Sequence, residues 1–399
     1  MSPHPPMEKV IIIGSGPVKI GQTGAFDDAA CRACEVFRSA GLQTVMIHCD
    51  PSALAADMET ADRTYMVPLT LQSLTEIILR EKPDALLPTV GGPTAMRLAN
   101  ACNRSGLLKD NGIGLLGATD RSLALIDNPS AFFDVVNNLG LASPDGQSSD
   151  RVSDAAAIAE AIGYPVFVRA ANPAGELRQG IAYNVEELRL LASGGRLPSE
   201  KLGGLRIEQA LSGYREVEVE LLRDADNRVQ VVGMAENMDP VGIHSGDSAA
   251  VIPPVTIGEE TRRQIEAAAC KLAGQIRMIG AFNVKFAVGT AADQVLVLAV
   301  NPWFSRMSAF CAKAFDIDLA TIHARLSLGT GLDDVLATEG SPTAGIRAGS
   351  TIAVRLPRWE FERFAGETAR LDACMKSTGC LLYTSPSPRD SLHNLVCPL

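Results

Sequence analysis

Short β-branched runs alternate with helical patterns over the first 120 residues, and this alternation restricts the fold more than any other feature. The pattern predicts strands at Lys9–Gly14, Thr44–His48 and Ala85–Thr89. Helical patterns between and after them cover Asp27–Ala40, Leu71–Glu81 and Pro93–Ser105. Strands that are joined by helices form parallel sheets, so we predict a doubly wound α/β domain.

A glycine turn follows the first strand, at Gly14-Ser-Gly16-Pro17. Its backbone N–H groups could bind a phosphate. The third glycine of the dinucleotide-binding spacing is missing, which favours a structural turn over a nicotinamide or flavin site.

The second part of the chain mixes its elements differently. Turn residues at Ala142–Ser149 predict a hinge. After it we predict an antiparallel hairpin from Glu216–Arg223 and Val229–Ala235, and paired strands at 281–288 and 295–300. An α+β domain is therefore expected to follow the doubly wound one.

The stretch Gln294–Arg306 reads Q-V-L-V-L-A-V-N-P-W-F-S-R. Pro302 ends its apolar strand because proline has no backbone donor. The strand would deliver Asn301, Ser305 and Arg306 to a sheet edge, where they could face a cleft. An ordinary Asn-Pro turn explains the same residues, and both interpretations stay open.

Two other polar segments have a functional and a structural interpretation. Glu216, Glu218 and Glu220 alternate with apolar residues and share one strand face, which is more typical of a solvated face than of a catalytic set. His244 lies between Gly242 and Gly246 in a polar loop, where it could donate to a phosphate or lie on the surface.

Composition excludes several partners. The 399 residues carry a net charge of −10, which disfavours nucleic acid and anionic membranes. No apolar run reaches the roughly 20 residues that span a bilayer, and the start lacks the apolar core of a signal peptide, so a cytoplasmic protein is expected. The nine cysteines are scattered, and Cys31 and Cys34 have no second pair at zinc-like spacing.

Six segments, in order, read G-S-G-P-V-K-I-G-Q from Gly14, L-P-T-V-G-G from Leu87, G-I-A-Y-N from Gly180, M-D-P-V-G-I-H-S-G-D-S from Met238, N-V-K-F-A-V from Asn283 and N-P-W-F-S-R from Asn301. Together they resemble the amino-terminal half of the carbamoyl-phosphate synthetase large chain. The resemblance covers about residues 8 to 379.

The resemblance implies a biotin-carboxylase-like domain over 1–125, an ATP-grasp domain over 126–335 and the start of a helical oligomerisation domain over 336–379. It also implies ATP, with magnesium or manganese, and phosphorylation of bicarbonate to carboxyphosphate, which ammonia converts to carbamate. A glutaminase small subunit would supply the ammonia. The second phosphorylation belongs to a carboxy-terminal half, so we expect this chain to be a fragment of the complete activity.

Carried over residue by residue, the resemblance implies roles for several positions. Nucleotide-binding positions are Arg169, Gly175, Leu211, Glu216, Gly242, Ile243 and His244. Arg306, His244 and Asn301 are the implied catalytic residues, and Asn301 is also an implied metal ligand.

The departures from the family pattern converge on the same site. Lys285 and Ala299 stand where the family has a glutamine and a glutamate that bind the metal, and an ammonium cannot coordinate Mg²⁺. Trp303 and Pro129 replace arginines, Gln209 replaces a glutamate, and Glu176 adds a negative charge to the glycine loop. We therefore expect impaired turnover. The alternative is a non-catalytic homologue that acts as a scaffold or regulatory subunit.

The last twenty residues have no counterpart in the family. The segment Cys380–Ser391 resembles a translated sequencing adapter and is rich in serine and proline. We expect residues 380–399 to be non-native or disordered.

Overall fold

A computed structural model of the protein describes residues 7–18, 20–126, 128–149, 151–171, 177–193, 205–289, 294–340, 352–363 and 370–385. No helix in this part of the chain is both long and apolar enough to cross a bilayer.

The amino-terminal unit is a five-stranded sheet with the order β3-β2-β1-β4-β5, in which every pair of neighbours is parallel. Its strands are β1 (Lys9–Ile13), β2 (Gln43–His48), β3 (Arg63–Met66), β4 (Ala85–Leu87) and β5 (Gly114–Leu115). Its helices, and one that follows, are α1 (Thr23–Ser39), α2 (Leu71–Glu81), α3 (Gly92–Arg104), α4 (Leu107–Asp110), α5 (Asp120–Ile126) and α6 (Pro129–Asn138). The predicted doubly wound sheet is confirmed.

Close packing explains the glycine turn after β1. A Cβ on Gly14 would lie 2.3 Å from the His48 ring, and one on Gly16 would lie 2.4 Å from the Thr94 side chain. Both contacts are too short for any residue with a side chain, so the glycines let β1 pass close to its neighbours. This geometry supports the structural interpretation of the turn.

A small antiparallel sheet forms the second unit, in the order β6-β9-β7-β8. Its elements are β6 (Gly146–Ser149), α7 (Val152–Ile162), β7 (Val166–Ala171), β8 (Leu177–Ala182), α8 (Val185–Ser193) and β9 (Leu205–Gln209). Alternate residues of the strands, such as Val168 and Ile207, pack against Ala155 and Leu188 of the helices. The two helices thus cover one face of the sheet.

The third unit is a seven-stranded antiparallel sheet in the order β14-β13-β10-β11-β12-β15-β16. Its strands are β10 (Arg215–Arg223), β11 (Val229–Pro240), β12 (Ala250–Ile252), β13 (Gly280–Val288), β14 (Val295–Asn301), β15 (Ile352–Trp359) and β16 (Ser377–Ser385). Its helices are α9 (Glu259–Ile276), α10 (Arg306–Phe315), α11 (Leu319–Ser327) and α12 (Leu332–Glu339). Helices α10 and α11 separate at Asp316, which has φ of 54°.

Buried His323 joins the first unit to the third. The Thr89 hydroxyl lies 2.8 Å from its Nε2, and the backbone N–H of Ala281 donates to its Nδ1 at 2.9 Å. Burial lowers the pKa of His323 to about 4, so the ring is neutral at pH 7.

In the carboxy-terminal part the described residues include strands where the start of a helical domain was expected over 336–379, and the expectation that residues 380–399 are non-native stays a prediction. Within 336–379, helix α12 ends at Glu339, and strand β15 occupies the segment where a helical domain was expected. Residues 380–385 belong to β16, which pairs with β15 from Ile352↔Ser385 to Trp359↔Ser377. These segments become strands because the edge of the large sheet, at β12, offers unpaired backbone groups to them. Residues 386–399 lie outside the described part.

Candidate functional site

A cavity of 970 Å³ lies where the three units meet. The first unit lines it with the segments that follow β1 and β4, the two central strands of the parallel sheet. Ligands of doubly wound folds bind at this point, outside the carboxyl ends of the strands where the order reverses. Strands β7 and β9 line it from the small sheet, and β10, β13 and β14 from the large one.

The structure brings nearly all of the predicted site residues together. The following line the cavity: Arg169, Leu211, Glu216, Gly242, Ile243, His244, Asn301 and Arg306. Lys285, Ala299, Trp303 and Gln209 line it too. Gly175 and Glu176 lie outside the described residues. The roles of all these residues stay predictions, but their convergence from distant parts of the sequence is a structural fact.

The three alternating glutamates do not form a solvated face, and that interpretation is wrong. Glu216, Glu218 and Glu220 are 7%, 3% and 0% exposed. Their strand has apolar side chains packed under α9 on one face, while its acidic face is covered by the Ser245–Asp247 turn, β15 and α10. Alternation showed that the carboxylates share a face but not that another layer covers it.

Lys285 stands directly among these carboxylates. In the sheet register it pairs with Glu218 of β10 on one side and with Ala299 of β14 on the other. Its Nζ lies 3.4 Å from Glu216 Oε1 and 4.0 Å from Glu218 Oε1, and it donates to the Ser245 hydroxyl. Burial opposes its charge, but the two carboxylates outweigh this and raise the pKa of Lys285.

The carboxylates respond unequally to their surroundings. Burial raises the pKa of Glu216, whereas the Lys285 and Arg355 cations overcome burial and lower the pKa of Glu218. The Asn237 amide donates to both carboxylates, at 3.0 and 3.1 Å. Glu220 lies deeper and accepts a hydrogen bond from Ser308, and burial raises its pKa to about 8. Glu220 is therefore mostly protonated at pH 7.

His244 is held neutral beside these cations. Its Nδ1 accepts a hydrogen bond from the Gly246 N–H at 3.0 Å. Burial, followed by the charges of Lys285 and Arg306, lowers its pKa to about 3. At pH 7 the imidazole can therefore offer only a neutral Nε2–H donor to a ligand, not a positive charge.

Two arginines meet the Ser245–Asp247 turn from different elements. Arg306, the first residue of α10, donates from Nη1 to Gly246 O at 3.3 Å and to the Ser377 hydroxyl at 3.1 Å. Arg355 of β15 is 3% exposed and donates from Nη2 to Ser245 O at 2.8 Å. Arg306 Nη2 and Arg355 Nε are buried without a hydrogen-bond partner among the described residues. Each guanidinium thus has one buried nitrogen without a partner among the described residues, while both side chains line the cavity.

Arg169 lies on the opposite wall. Its Nε donates to Glu208 Oε1 at 2.8 Å, while Arg206 Nε donates to the other oxygen of Glu208 at 3.0 Å. The shared carboxylate orients Arg169, and the Phe167 ring lies 4.9 Å from its guanidinium. Two cations for one carboxylate leave this wall positive.

Asn301 and Trp303 line the cavity together with Lys285, and we call this part of the lining, with Arg306 and Arg355, the floor of the cavity. Asn301 donates from its amide to Asn283 Oδ1 at 2.9 Å, and Asn283 donates to the Ser305 hydroxyl at 2.7 Å. Ser305 caps α10 and so places Arg306. Trp303 lines the cavity and packs against the core of the amino-terminal sheet. The predicted delivery of Asn301, Ser305 and Arg306 to a cleft agrees with this arrangement.

Sequence reasoning missed Arg355 and Asn237. Arg355 belongs to T-I-A-V-R-L-P-R-W, whose β-branched start is a strand signal that could have placed it on a sheet. Asn237 lies in β11, which extends to Pro240 and so continues beyond the strand predicted at Val229–Ala235. No local signal marks Asn237 as a bridge between two carboxylates.

Solved structures share this architecture at low sequence identity. The biotin carboxylase from Campylobacter jejuni, in complex with β,γ-ATP, is 16% identical with a TM-score of 0.65, over 98% of this chain and 85% of that one. The biotin carboxylase domain of Hydrogenobacter thermophilus 2-oxoglutarate carboxylase, in complex with MgADP, ADP and bicarbonate, is 20% identical with a TM-score of 0.64, over 90% of this chain and 76% of that one. The fold is therefore that of the biotin carboxylase and ATP-grasp class.

Sequence comparison identifies the family within this class. Residues 6–125 match the carbamoyl phosphate synthase preATP-grasp domain, and residues 129–335 match the carbamoyl-phosphate synthase L chain ATP binding domain. The chain belongs to the carbamoyl phosphate synthase large chain family. The large chains of Rubrobacter xylanophilus and Archaeoglobus fulgidus are 34% and 35% identical over 98% of this chain, which spans 38% and 36% of their lengths.

The donor set of this cavity does not fit a magnesium ion. Hard divalent cations need several oxygen ligands. Here the ammonium of Lys285 already lies within ion-pair distance of both Glu216 and Glu218, and Ala299, whose methyl group offers no ligand, pairs with Lys285 in the sheet. Among the described residues, no group of three or more His, Cys, Asp and Glu side chains is arranged to hold a metal.

Proposed function

We propose that the chain binds ATP in this cavity as the carboxyphosphate-forming part of a carbamoyl phosphate synthase large chain, with slow turnover. The observation that carries the proposal is the convergence of eight predicted site residues, from positions 169 to 306, on one cavity. In this reaction the γ-phosphoryl group of ATP passes to bicarbonate, giving carboxyphosphate and ADP. Ammonia then displaces the phosphate to give carbamate.

Each lining residue would have a role that depends on its position in the cavity. Arg169, Leu211 and the Gly242–His244 segment would hold the nucleotide between the small and the large sheet. Gly242 has φ of 109°, which lets the backbone turn towards the cavity wall. Arg306, whose guanidinium lines the cavity, would hold the anionic acceptor. Neutral His244 would donate a hydrogen bond to a phosphoryl oxygen.

Slow turnover follows from the floor of the cavity. Phosphoryl transfer depends on neutralising and aligning the phosphate oxygens. Lys285 supplies a point charge, but an ammonium cannot bridge two phosphate groups in a fixed geometry. Trp303 adds a bulky apolar ring where the family resemblance implies an arginine. A glutaminase partner, ammonia and an oligomer are implied by the family and belong to the same proposal.

A bicarbonate-dependent ATPase assay with magnesium tests this function. We expect weak ADP release that rises when bicarbonate is added, and a faster rate in the double variant Lys285→Gln, Ala299→Glu. Lys271→Gln on the exposed face of α9 is the matched control and should leave the rate unchanged. Wild-type turnover as fast as that of a full-length large chain would refute impaired catalysis.

A second candidate is a non-catalytic ATP-grasp homologue that serves as a scaffold or regulatory subunit. The ion pairs of Lys285 with Glu216 and Glu218 favour it, because they stabilise the fold at the site of chemistry. This candidate predicts ATP binding without ADP release in the wild type. It also predicts no gain of turnover in the double variant, which separates it from the first.

A further inference from the structure

The cavity has the charge balance of an anion site. Its lining carries the carboxylates of Glu208, Glu216 and Glu218. Among the described residues, the cationic lining residues outnumber these carboxylates, and they are Arg97, Arg169, Lys285, Arg306 and Arg355. Nearby Glu220 is mostly protonated and His244 is neutral at pH 7, so neither changes the excess of positive charge.

Three of the five cationic side chains lie on the floor of the cavity. Lys285, Arg306 and Arg355 all donate to the Ser245–Asp247 turn, so one short segment holds the three cations in place. Among the described residues, Glu216 and Glu218 lie within ion-pair distance of Lys285, and the buried Asp247 carboxylate belongs to the same turn but accepts the backbone N–H groups of Lys376 and Ser377. Arg306 and Arg355 both line the cavity with their side chains. The floor therefore favours an oxygen-rich anion.

A magnesium ion would meet unfavourable conditions on this floor. It would lie beside an ammonium and two guanidinium groups, without a carboxylate at Ala299 to offset them. A nucleotide that arrives with its magnesium also has less negative charge for the three cations to attract. Both effects favour the nucleotide that has no bound metal.

We propose that this cavity binds the polyphosphate of a nucleoside di- or triphosphate as the metal-free anion, with Lys285 in the place of the metal ion. The inference rests on the nucleotide binding proposed above and adds which ionic form is bound. Lys285 contacts the phosphates while Glu216 and Glu218 orient its ammonium. Arg306 and Arg355 add positive charge to the same part of the cavity lining.

Titrating ATP into the chain in EDTA and in excess magnesium tests the inference. The protein has two tryptophans, and Trp303 lies on the cavity floor, so its fluorescence reports binding. ATP should bind at least as tightly in EDTA as in magnesium. If magnesium tightens binding about tenfold or more, the inference is overturned while the proposed nucleotide binding stands. If ATP binds in neither condition, the proposed function itself fails.

Two variants sharpen the result. Lys285→Gln should weaken ATP binding in EDTA by about tenfold to a hundredfold, because it removes a charge-assisted contact. Adding Ala299→Glu should make the remaining binding depend on magnesium. Lys271→Gln should match the wild type in both conditions. Equal affinity of wild type and Lys285→Gln in EDTA would overturn the role of Lys285, and the wild-type comparison alone decides the question if the variants do not fold.

Discussion

Replacing Lys285 with methionine would leave two buried carboxylates without their cation. At 3.4 and 4.0 Å, each pair is worth about 4 to 5 kcal/mol of Coulomb energy at an effective dielectric constant of about 20. Much of this is offset by desolvation, and removing one member of a buried ion pair costs about 3 to 5 kcal/mol in measured cases. Arg355 and the Asn237 amide still stabilise the carboxylates, so we expect the free energy of unfolding to fall by about 3 kcal/mol at pH 8.

The loss should shrink as the pH falls. In Lys285→Met the folded pKa values of Glu216 and Glu218 should lie above their unfolded values of about 4.3. The penalty is then full above the folded pKa values and disappears as the pH falls towards the unfolded ones. Near pH 5 the variant should therefore recover most of the lost stability.

Urea unfolding followed by tryptophan fluorescence measures this at about pH 8 and about pH 5. The matched control is Lys271→Met, at an exposed position of α9, where we expect a change within about 0.5 kcal/mol at both pH values. The reasoning is refuted if Lys285→Met and Lys271→Met are equally stable at pH 8. It is also refuted if the loss for Lys285→Met is the same at both pH values.

Three further predictions concern buried polar groups. Burial raises the pKa of Glu220 to about 8, so its ionisation destabilises the fold as the pH rises. In thermal unfolding, Glu220→Gln should therefore be about 3 kcal/mol more stable than the wild type at pH 8 and equally stable at pH 5. Burial lowers the pKa of His323 to about 4, so the free energy of unfolding of the wild type should decrease as the pH falls from about 6.5 to about 4. His323→Gln should reduce this pH dependence. An unchanged pH dependence would contradict the role given to His323. The Asp247 carboxylate accepts hydrogen bonds from the backbone N–H groups of Lys376 and Ser377 at 2.7 and 2.8 Å. Asp247→Ala should therefore speed hydrogen exchange of these two amides. Unchanged exchange would argue against a stabilising role of these hydrogen bonds.

Much of the fold could be predicted because its elements carry local signals. Helix α2 begins and ends at the predicted residues, Leu71 and Glu81. For α2, the Thr70 side chain accepts from the Ser73 N–H and marks the start. The aliphatic run of β1 likewise predicts a strand that is buried on both faces.

The errors arose where distant segments decide the outcome. Strand β15 forms because Ala250, some hundred residues earlier, pairs with Arg355. The acidic face of β10 is buried because β15 and the Ser245–Asp247 turn cover it. The local sequence of β15 has a strand signal but does not show which strand it pairs with, and the local sequence of β10 does not show that another layer covers its acidic face.

The site shows the same division. Family motifs named the residues that line the cavity, and Lys285 and Ala299 were recognised as departures. Only the structure shows that these two are direct neighbours across β13 and β14, and that Lys285 is paired with Glu216 and Glu218. The sequence predicts the loss of a metal ligand at Lys285, whereas the geometry shows that its ammonium is paired with two carboxylates.

A crystal structure of the chain grown with ADP and magnesium tests the central claim most directly. We predict ADP in the 970 Å³ cavity, with its phosphate oxygens within hydrogen-bond distance of Lys285 Nζ and no metal ion between the phosphates and Lys285. A magnesium ion that bridges the phosphates there, or a cavity without nucleotide at saturating ADP, would contradict the account.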